Sequence, residues 1–578
     1  MSFEDNLKQL PQEHHGPLVK LGKGELGGKA RGLSFLESLL DMYDLRHEFS
    51  PHLVSVPETT VLATAEYERF LDRNSLWNFA GRDDKEIQGA FLKGSFAPET
   101  ERALERYLRT HKKPLAVRSS SLNEDAYNHP AAGLYKTYML PNSSPDPEKR
   151  KKQLLDAVKL VYASTLCEAP TMYMRNHSLP VDEERMAVVL QEVVGAAKQD
   201  VYYPLCAGTA QSINYFPVGR MKPKDGVVAL VFGLGKRVVD GIDALRFSPR
   251  HPTIIPQFAT SADMLKNSQK AFYAVNLSAK DRDLTGNEMD TLVELPVSGA
   301  EGHDTLEMVA STFVQEEGMM YPGTARQGRR IVTFDALLKG GRFPMARIIS
   351  RVLALAEDGF GSPVELEFAG TMDESGPPRG IVHLLQARPM AGVLDRDRIK
   401  MPEISQEQLV LRTNKVLGRG SKDDIKDILW VDPKHFDLSK THETARALAR
   451  MNRSFEEQSK KYILMAPGRL GSTNPRLGLP VKYPQVSAAV LLAELSTEEF
   501  SIEPSQGTHF FHNVLAGGVL YIFLDTTRGD YLDLEWLRGL PRKAKDSDLV
   551  HSVSDEPLHI RGDASIPRIM VFRHGAPE

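Results

Sequence analysis

Cysteine is nearly absent. Cys167 and Cys206 are the only two in 578 residues, too few for a disulfide framework or a thiolate zinc site, so a reducing, cytoplasmic setting is expected. No strong charge of one sign is present either: 72 basic and 76 acidic residues leave a formal charge of −4. That balance gives no global field toward nucleic acid or an anionic membrane, so any anion binding must come from local clusters. Long apolar runs are lacking as well. Residues 1–15 have no apolar core of a secretion signal, and the longest apolar stretches, such as 226–235, fall far short of a membrane span.

What is present is an ordinary globular composition, 41% hydrophobic and 26% charged, over a length that calls for two to four folding units. The expected class is mixed, α/β and α+β, in several domains. A glycine-rich turn with Gly24, Gly27 and Gly28 precedes a helix carrying Leu33, Leu36 and Leu40. Short buried strands are expected at 115–117, 186–194 and 227–232, with a helix at 152–163 between them. A helix marked by Met345, Ile348, Ile349, Val352, Leu353 and Ala356 leads into two strands, 364–368 and 381–388. The Gly/Pro segment 370–380 between them suits an antiparallel hairpin with a long loop. The texture changes near 395, giving expected units of 1–110, 111–395 and 396–578. The last should hold a helix over 443–461, a loop over 466–480 and a strand over 519–524.

Alternation in the late strands carries chemistry. In Val364-Glu365-Leu366-Glu367-Phe368 the two carboxylates share one face, and in 381–388 Gln386 and Arg388 share one. Paired, they would present hard oxygen ligands for Mg²⁺ and a guanidinium for phosphate. A solvated sheet face with a Glu/Arg cross-strand pair fits the same spacing.

The turn Gly24-Glu25-Leu26-Gly27-Gly28-Lys29 offers backbone N–H groups and a helix N-terminus to an anion, with Lys29 adding charge. Gly22, Gly24 and Gly27 match G-x-G-x-x-G, yet no convincing strand precedes them, and Ala30 after Lys29 excludes a Walker A loop. Read alone, the segment is also a plain helix-start turn. Arg118-Ser119-Ser120-Ser121 at a strand end, followed by Glu124-Asp125 and Ala132-Gly133, can neutralise a phosphoryl group or form an acid-capped serine turn. In Phe232-Gly233-Leu234-Gly235-Lys236, Gly233 and Gly235 let backbone approach a nucleotide.

These segments, in this order over residues 17–392, resemble the ATP-binding domain of phosphoenolpyruvate synthase and pyruvate phosphate dikinase. The carrying motifs are Gly27-Gly28-Lys29-Ala30-Arg31-Gly32-Leu33, Val117-Arg118-Ser119-Ser120-Ser121, Gly233-Leu234-Gly235, Glu365-Leu366-Glu367-Phe368 and Leu385-Gln386-Ala387-Arg388-Pro389. The resemblance implies an ATP-grasp-like fold and ATP- and Mg²⁺-dependent phosphotransfer. It places Lys29 and Arg118 on ATP phosphates, Glu367 and Gln386 at the Mg²⁺-bound phosphate or nucleotide with Glu365 as a further metal ligand, and Arg388 in support. Two positions depart from the family pattern: Glu365 stands where Asp is usual, and Lys236 where Glu often follows the Gly-Leu-Gly. Neither the phosphate-accepting histidine context nor a pyruvate-binding barrel is found, so pyruvate is not supported as acceptor.

The last unit has its own polar cluster, Gly468-Arg469-Leu470-Gly471-Ser472 and Ser505-Gln506-Gly507-Thr508-His509 with His512-Asn513. His509 could relay a proton or phosphoryl group, and Arg469 could bind an anionic acceptor. Both histidines also fit a structural role beside Phe510 and Phe511. Three functions remain open: an ATP-dependent phosphotransferase with an unidentified acceptor, a non-catalytic nucleotide sensor, and one component of a split system that phosphorylates a histidine on a partner protein.

Overall fold

The computed structural model describes residues 18–573 apart from 125–132, 178, 242, 342, 374–376, 378, 391–398, 473, 506–508 and 565. Among these, the strands build several separate sheets alternating with helices, an α/β multidomain architecture.

The first sheet has five strands in the order Leu18–Leu21, Thr59–Leu62, Met186–Glu192, Leu115–Ser121, Thr137–Leu140. One of its faces, with Leu62, Leu115, Val117, Val188 and Leu190, packs on helices Thr64–Asn74, Asp84–Lys93, Pro98–Thr110 and Pro147–Ala163. The opposite face, through Val61, Ala187 and Val189, joins the core shared by helix Gly27–Met42 and the second sheet. Period-2 alternation thus buries both faces of one sheet in different cores.

Strand Leu18–Leu21 corrects the expectation that nothing extended precedes the glycine turn. It was missed because it is a four-residue edge strand whose Val19 and Lys20 are exposed. It pairs in parallel with Thr59–Leu62, while the other pairs of that sheet are antiparallel. The glycine turn therefore belongs to no Rossmann sheet.

The second sheet has six strands, ordered Leu245–Phe247, Val227–Val231, Cys206–Gln211, Val364–Asp373, Arg379–Pro389, Leu53–Ser55. Its hairpin Val364–Asp373/Arg379–Pro389 runs further than the expected 364–368 and 381–388. Residues 370–373, read as loop because of their glycine and polar content, stay in register with 379–382. A β-bulge interrupts the pairing between Glu367 and Phe368. Val364, Leu366, Phe368, Val382, Leu384 and Ala387 point into the core with helix Met345–Phe360 and helix Gly27–Met42. The other face is the polar one.

Beyond residue 409, ten strands form one mixed sheet. Its centre is parallel: Arg419–Val431 pairs with Tyr462–Pro467, then Ala489–Ser496 and Leu520–Asp525 follow. Helix Thr441–Glu457 covers it, with Leu448 and Phe455 buried. A short pair, Arg469–Leu470 with Gly478–Leu479, lies inside the stretch read as loop. This sheet is not isolated from the rest: the Tyr173 and Tyr483 rings meet edge to face at 5.9 Å. Among the described residues no helix is long and apolar enough to cross a membrane.

Candidate functional site

The hairpin register sets the site. Glu365 lies opposite Arg388 and Glu367 opposite Gln386, while on the other side Glu365 faces Gln211 and Glu367 faces Thr209. Directly opposed residues share a face. One polar patch therefore collects two carboxylates, two amides and a guanidinium.

Within it, Glu365 and Arg388 form a nearly sealed pair, their side chains 1% and 5% exposed. Arg388 donates through Nε at 3.1 Å and through Nη2 at 2.5 Å to Glu365 Oε1, and Gln211 Nε2 donates to Oε2 at 2.7 Å. Both carboxylate oxygens are thus engaged by protein. Gln211 was not singled out in the sequence. The available signal was the alternation of Thr209 and Gln211 with small residues in strand Cys206–Gln211.

Arg118 reaches this patch from the first sheet. Its Nη2 donates to Glu367 Oε2 and to Gln386 Oε1, each at 2.8 Å, and its Nη1 donates to the Leu385 carbonyl at 2.9 Å. Residues 249 and 268 positions away in sequence are thereby tied to it. This pair is more open than the first, at 12% and 19% exposure.

Lys29 does not join those bonds. Its Nζ donates to Ser119 Oγ at 3.0 Å and forms a short ion pair with buried Glu124. The neighbouring Ser120 Oγ donates to the Leu26 carbonyl at 2.9 Å and accepts from the Ala30 amide at 3.1 Å, so the serine run ties the glycine turn to the Arg118 strand. That approach needs glycine at two points. A Cβ at Gly27, where φ is +75°, would fall 1.8 Å from the Ser120 carbonyl oxygen, and one at Gly32 would fall 2.4 Å from the Ala387 carbonyl oxygen. The serines were read as phosphate donors or a turn, and here they hold elements together.

Gly233 has φ +82°, and a Cβ there would lie 2.8 Å from the Tyr273 carbonyl oxygen, so strand packing already requires this glycine. Gly235 precedes the short helix Lys236–Val239. Lys236 turns to Asp240 at 3.4 Å, and burial raises the Asp240 carboxyl above its usual range despite that lysine. His509 begins helix His509–Ala516, while its side chain, residues 506–508 and Asp125 and Ala132 lie outside the described residues.

A cavity of about 680 Å³ opens farther along the same hairpin face, lined among others by Ser55, Lys113, Glu192, Tyr202, Thr371 and His383. Arg118, Glu367 and Gln386 do not line it. His383 bonds to Ser55 Oγ through Nδ1 at 2.9 Å and to Thr371 Oγ1 through Nε2 at 3.0 Å. Burial, with Lys113 adding to it, pushes its pKa down to about 4 and keeps the ring neutral.

Fold and site together define an α/β multidomain protein with a patch of paired charges between its five- and six-stranded sheets. The chain belongs to the family of the pyruvate phosphate dikinase AMP/ATP-binding domain, whose model matches residues 23–409. It is also similar to an uncharacterized phosphotransferase, YvkC, of Bacillus subtilis (strain 168), with 21% identity over 354 residues covering 61% of this chain. The aligned part spans about a third of that relative's length, 33%.

Proposed function

We propose that the chain is an ATP- and Mg²⁺-dependent phosphotransferase acting on an acceptor not yet identified. Residues 1–110 and 111–395 would supply an ATP-grasp-like nucleotide-binding region, and 396–578 a separate C-terminal unit. The observation that carries the reading is the single nitrogen Nη2 of Arg118, held at 2.8 Å by both Glu367 and Gln386.

Two oxygens that converge on one cationic atom are already arranged for a cation. Glu367 and Gln386 are hard oxygen donors of the kind Mg²⁺ takes alongside substrate phosphates, usually with only one or two carboxylates from the protein. Among the described residues no group of three or more His, Cys, Asp or Glu side chains gathers as a metal cage, which suits a metal shared with the nucleotide. Glu367 and Gln386 would hold it, with Glu365 behind them. The metal would supply neutralisation of phosphate charge.

The protein's own part is positioning and charge matching. Arg118 would exchange its carboxylate partner for phosphate oxygens, its planar fork being suited to either. Arg388 would hold Glu365 in place, and the Gly27 turn would bring backbone N–H groups near the phosphates. Lys29 would leave Glu124 for the same phosphates.

Equilibrium titration of ATP with Mg²⁺, together with ATP consumption in the presence of candidate acceptors, tests the proposal. Arg118→Ala and Lys29→Ala should each weaken nucleotide binding tenfold or more. Unchanged affinity in both variants rejects the site, and saturable binding with no turnover under any condition rejects the transferase reading.

A further inference from the structure

A second concentration of charge lies where the ten-stranded sheet meets the six-stranded one. Arg246 stands opposite Ala229, Ala229 opposite Thr209, Thr209 opposite Glu367, and Glu367 opposite Gln386. Arg246 therefore shares one cross-strand row and one sheet face with the Glu367–Gln386 pair. It is three strand spacings from Glu367, about 14 Å at roughly 4.8 Å each. Arg469 comes from the other side of the seam, just past the carboxyl end of parallel strand Tyr462–Pro467. The carboxyl ends of parallel strands are where open α/β sheets gather ligands.

Both guanidiniums are anchored to backbone oxygens. Arg246 Nη1 donates to the Pro504 carbonyl at 2.7 Å, and Arg469 donates through Nε to the Glu503 carbonyl at 2.9 Å and through Nη1 to the Gly241 carbonyl at 3.1 Å. These bonds orient the two forks without cancelling their charge. The acid between them is Glu503, whose Oε2 stands 3.8 Å from Arg246 Nη1 and 3.9 Å from Arg469 Nη2. A charge-assisted hydrogen bond would span about 2.7–2.9 Å. The Glu503 oxygen instead accepts from Gln257 Nε2 at 3.1 Å.

The arginine side chains are 16% and 11% exposed, and Glu503 is 39% exposed. Nearby Glu494 is fully buried, accepts from the Tyr521 hydroxyl and the Leu470 and Ser505 amides, and is raised above the usual carboxylate range by burial. Burial, and then the charge of Arg469, pushes Arg246 down to about 10, which still leaves it charged at neutral pH. Two nearly buried cations thus share one carboxylate held at arm's length.

We propose that Arg246 and Arg469 form an oxyanion site that takes the carboxylate or phosphate group of the phosphoryl acceptor, Glu503 giving way to it. Its use by an acceptor rests on the phosphotransferase reading above, whereas anion binding itself does not. Paired guanidinium forks suit either a planar carboxylate or a tetrahedral phosphate.

Calorimetric titration of the full chain with inorganic phosphate and with malonate, once with saturating ATP and Mg²⁺ and once without nucleotide, tests it. The wild type should bind at least one probe. Arg246→Gln and Arg469→Gln should each weaken that probe tenfold or more, with nucleotide affinity changed less than twofold. Glu503→Gln should tighten it severalfold, a gain that loss of folding does not produce. Stronger phosphate binding assigns a phosphate-bearing acceptor, and stronger malonate binding a carboxylic acid. No binding of either probe to wild type overturns the proposal, as does unchanged probe affinity in all three variants. Failure of the nucleotide reading shows separately, as absent ATP binding while the nucleotide-free arm still reports on the anion.

Discussion

The two ends of one hairpin face are built from opposite materials. Near its start, Glu365, Glu367, Gln386 and Arg388 crowd charge into ion pairs and leave little space. Past the bulge, Thr371 and a neutral His383 border a roomy cavity whose ion pairs, Lys113–Glu192 and Lys198–Asp304, come from other elements. The difference teaches a division of labour. The charged end suits a group that competes for ion-pair partners, such as a triphosphate, whereas at the other end the hairpin itself offers only the single hydrogen bonds of Thr371 and a neutral His383.

Within the charged end the pairs differ again, and this difference is the easiest to break. Arg388→Met should destabilise the protein by about 3–5 kcal/mol, because it strands Glu365 as a buried charge. Urea unfolding reads this as a large drop in midpoint, and an unchanged midpoint would mean that the pair is not a scaffold.

The neutral end predicts a pH effect of similar size. His383 titrates at about 4 when folded and near 6.5 when unfolded. The unfolded chain therefore takes up the proton first, so the contribution is fully present above pH 6.5 and is lost as pH falls toward 4. It amounts to something on the order of 3 kcal/mol. His383→Gln should flatten the stability profile in that window, and an unaltered slope would remove the assignment.

Arg118→Met should separate binding from stability, costing about 1–2 kcal/mol in unfolding while weakening ATP tenfold or more. The reverse ordering, with stability hit harder than affinity, would erase the distinction between the open and the sealed pair. The smallest effect is expected for Lys236→Glu. The lysine already faces Asp240, so the new like-charge pair costs about 0.2–0.5 kcal/mol and should change nucleotide affinity less than threefold.

Much of the fold was legible from local pattern. The helix after the glycine turn, the helix before the hairpin and the alternation of Glu365 and Glu367 follow from spacing alone. The extension of the hairpin through Gly370 and Thr371 was not legible, because pairing with 379–382 and burial outweigh weak strand propensity there. In the site, residue types and faces could be read, but not who pairs with whom. That Lys29 turns to Glu124 while Arg118 takes Glu367 is decided by tertiary approach across 95 and 249 positions. The Arg246–Arg469 pair was half visible: Arg469 stood out in a polar cluster, whereas Arg246 gains meaning only from its row in the sheet.

One missing methyl group serves as the gauge of the cleft. Gly32 lets the helix touch the carbonyl of Ala387, the residue between Gln386 and Arg388, and Lys29 lies about one turn before that point of contact. The reach from the lysine to the amide and guanidinium is thus metered by bare backbone. Any larger side chain at position 32 would shim the helix off its seat and retune that reach without altering a single charged residue.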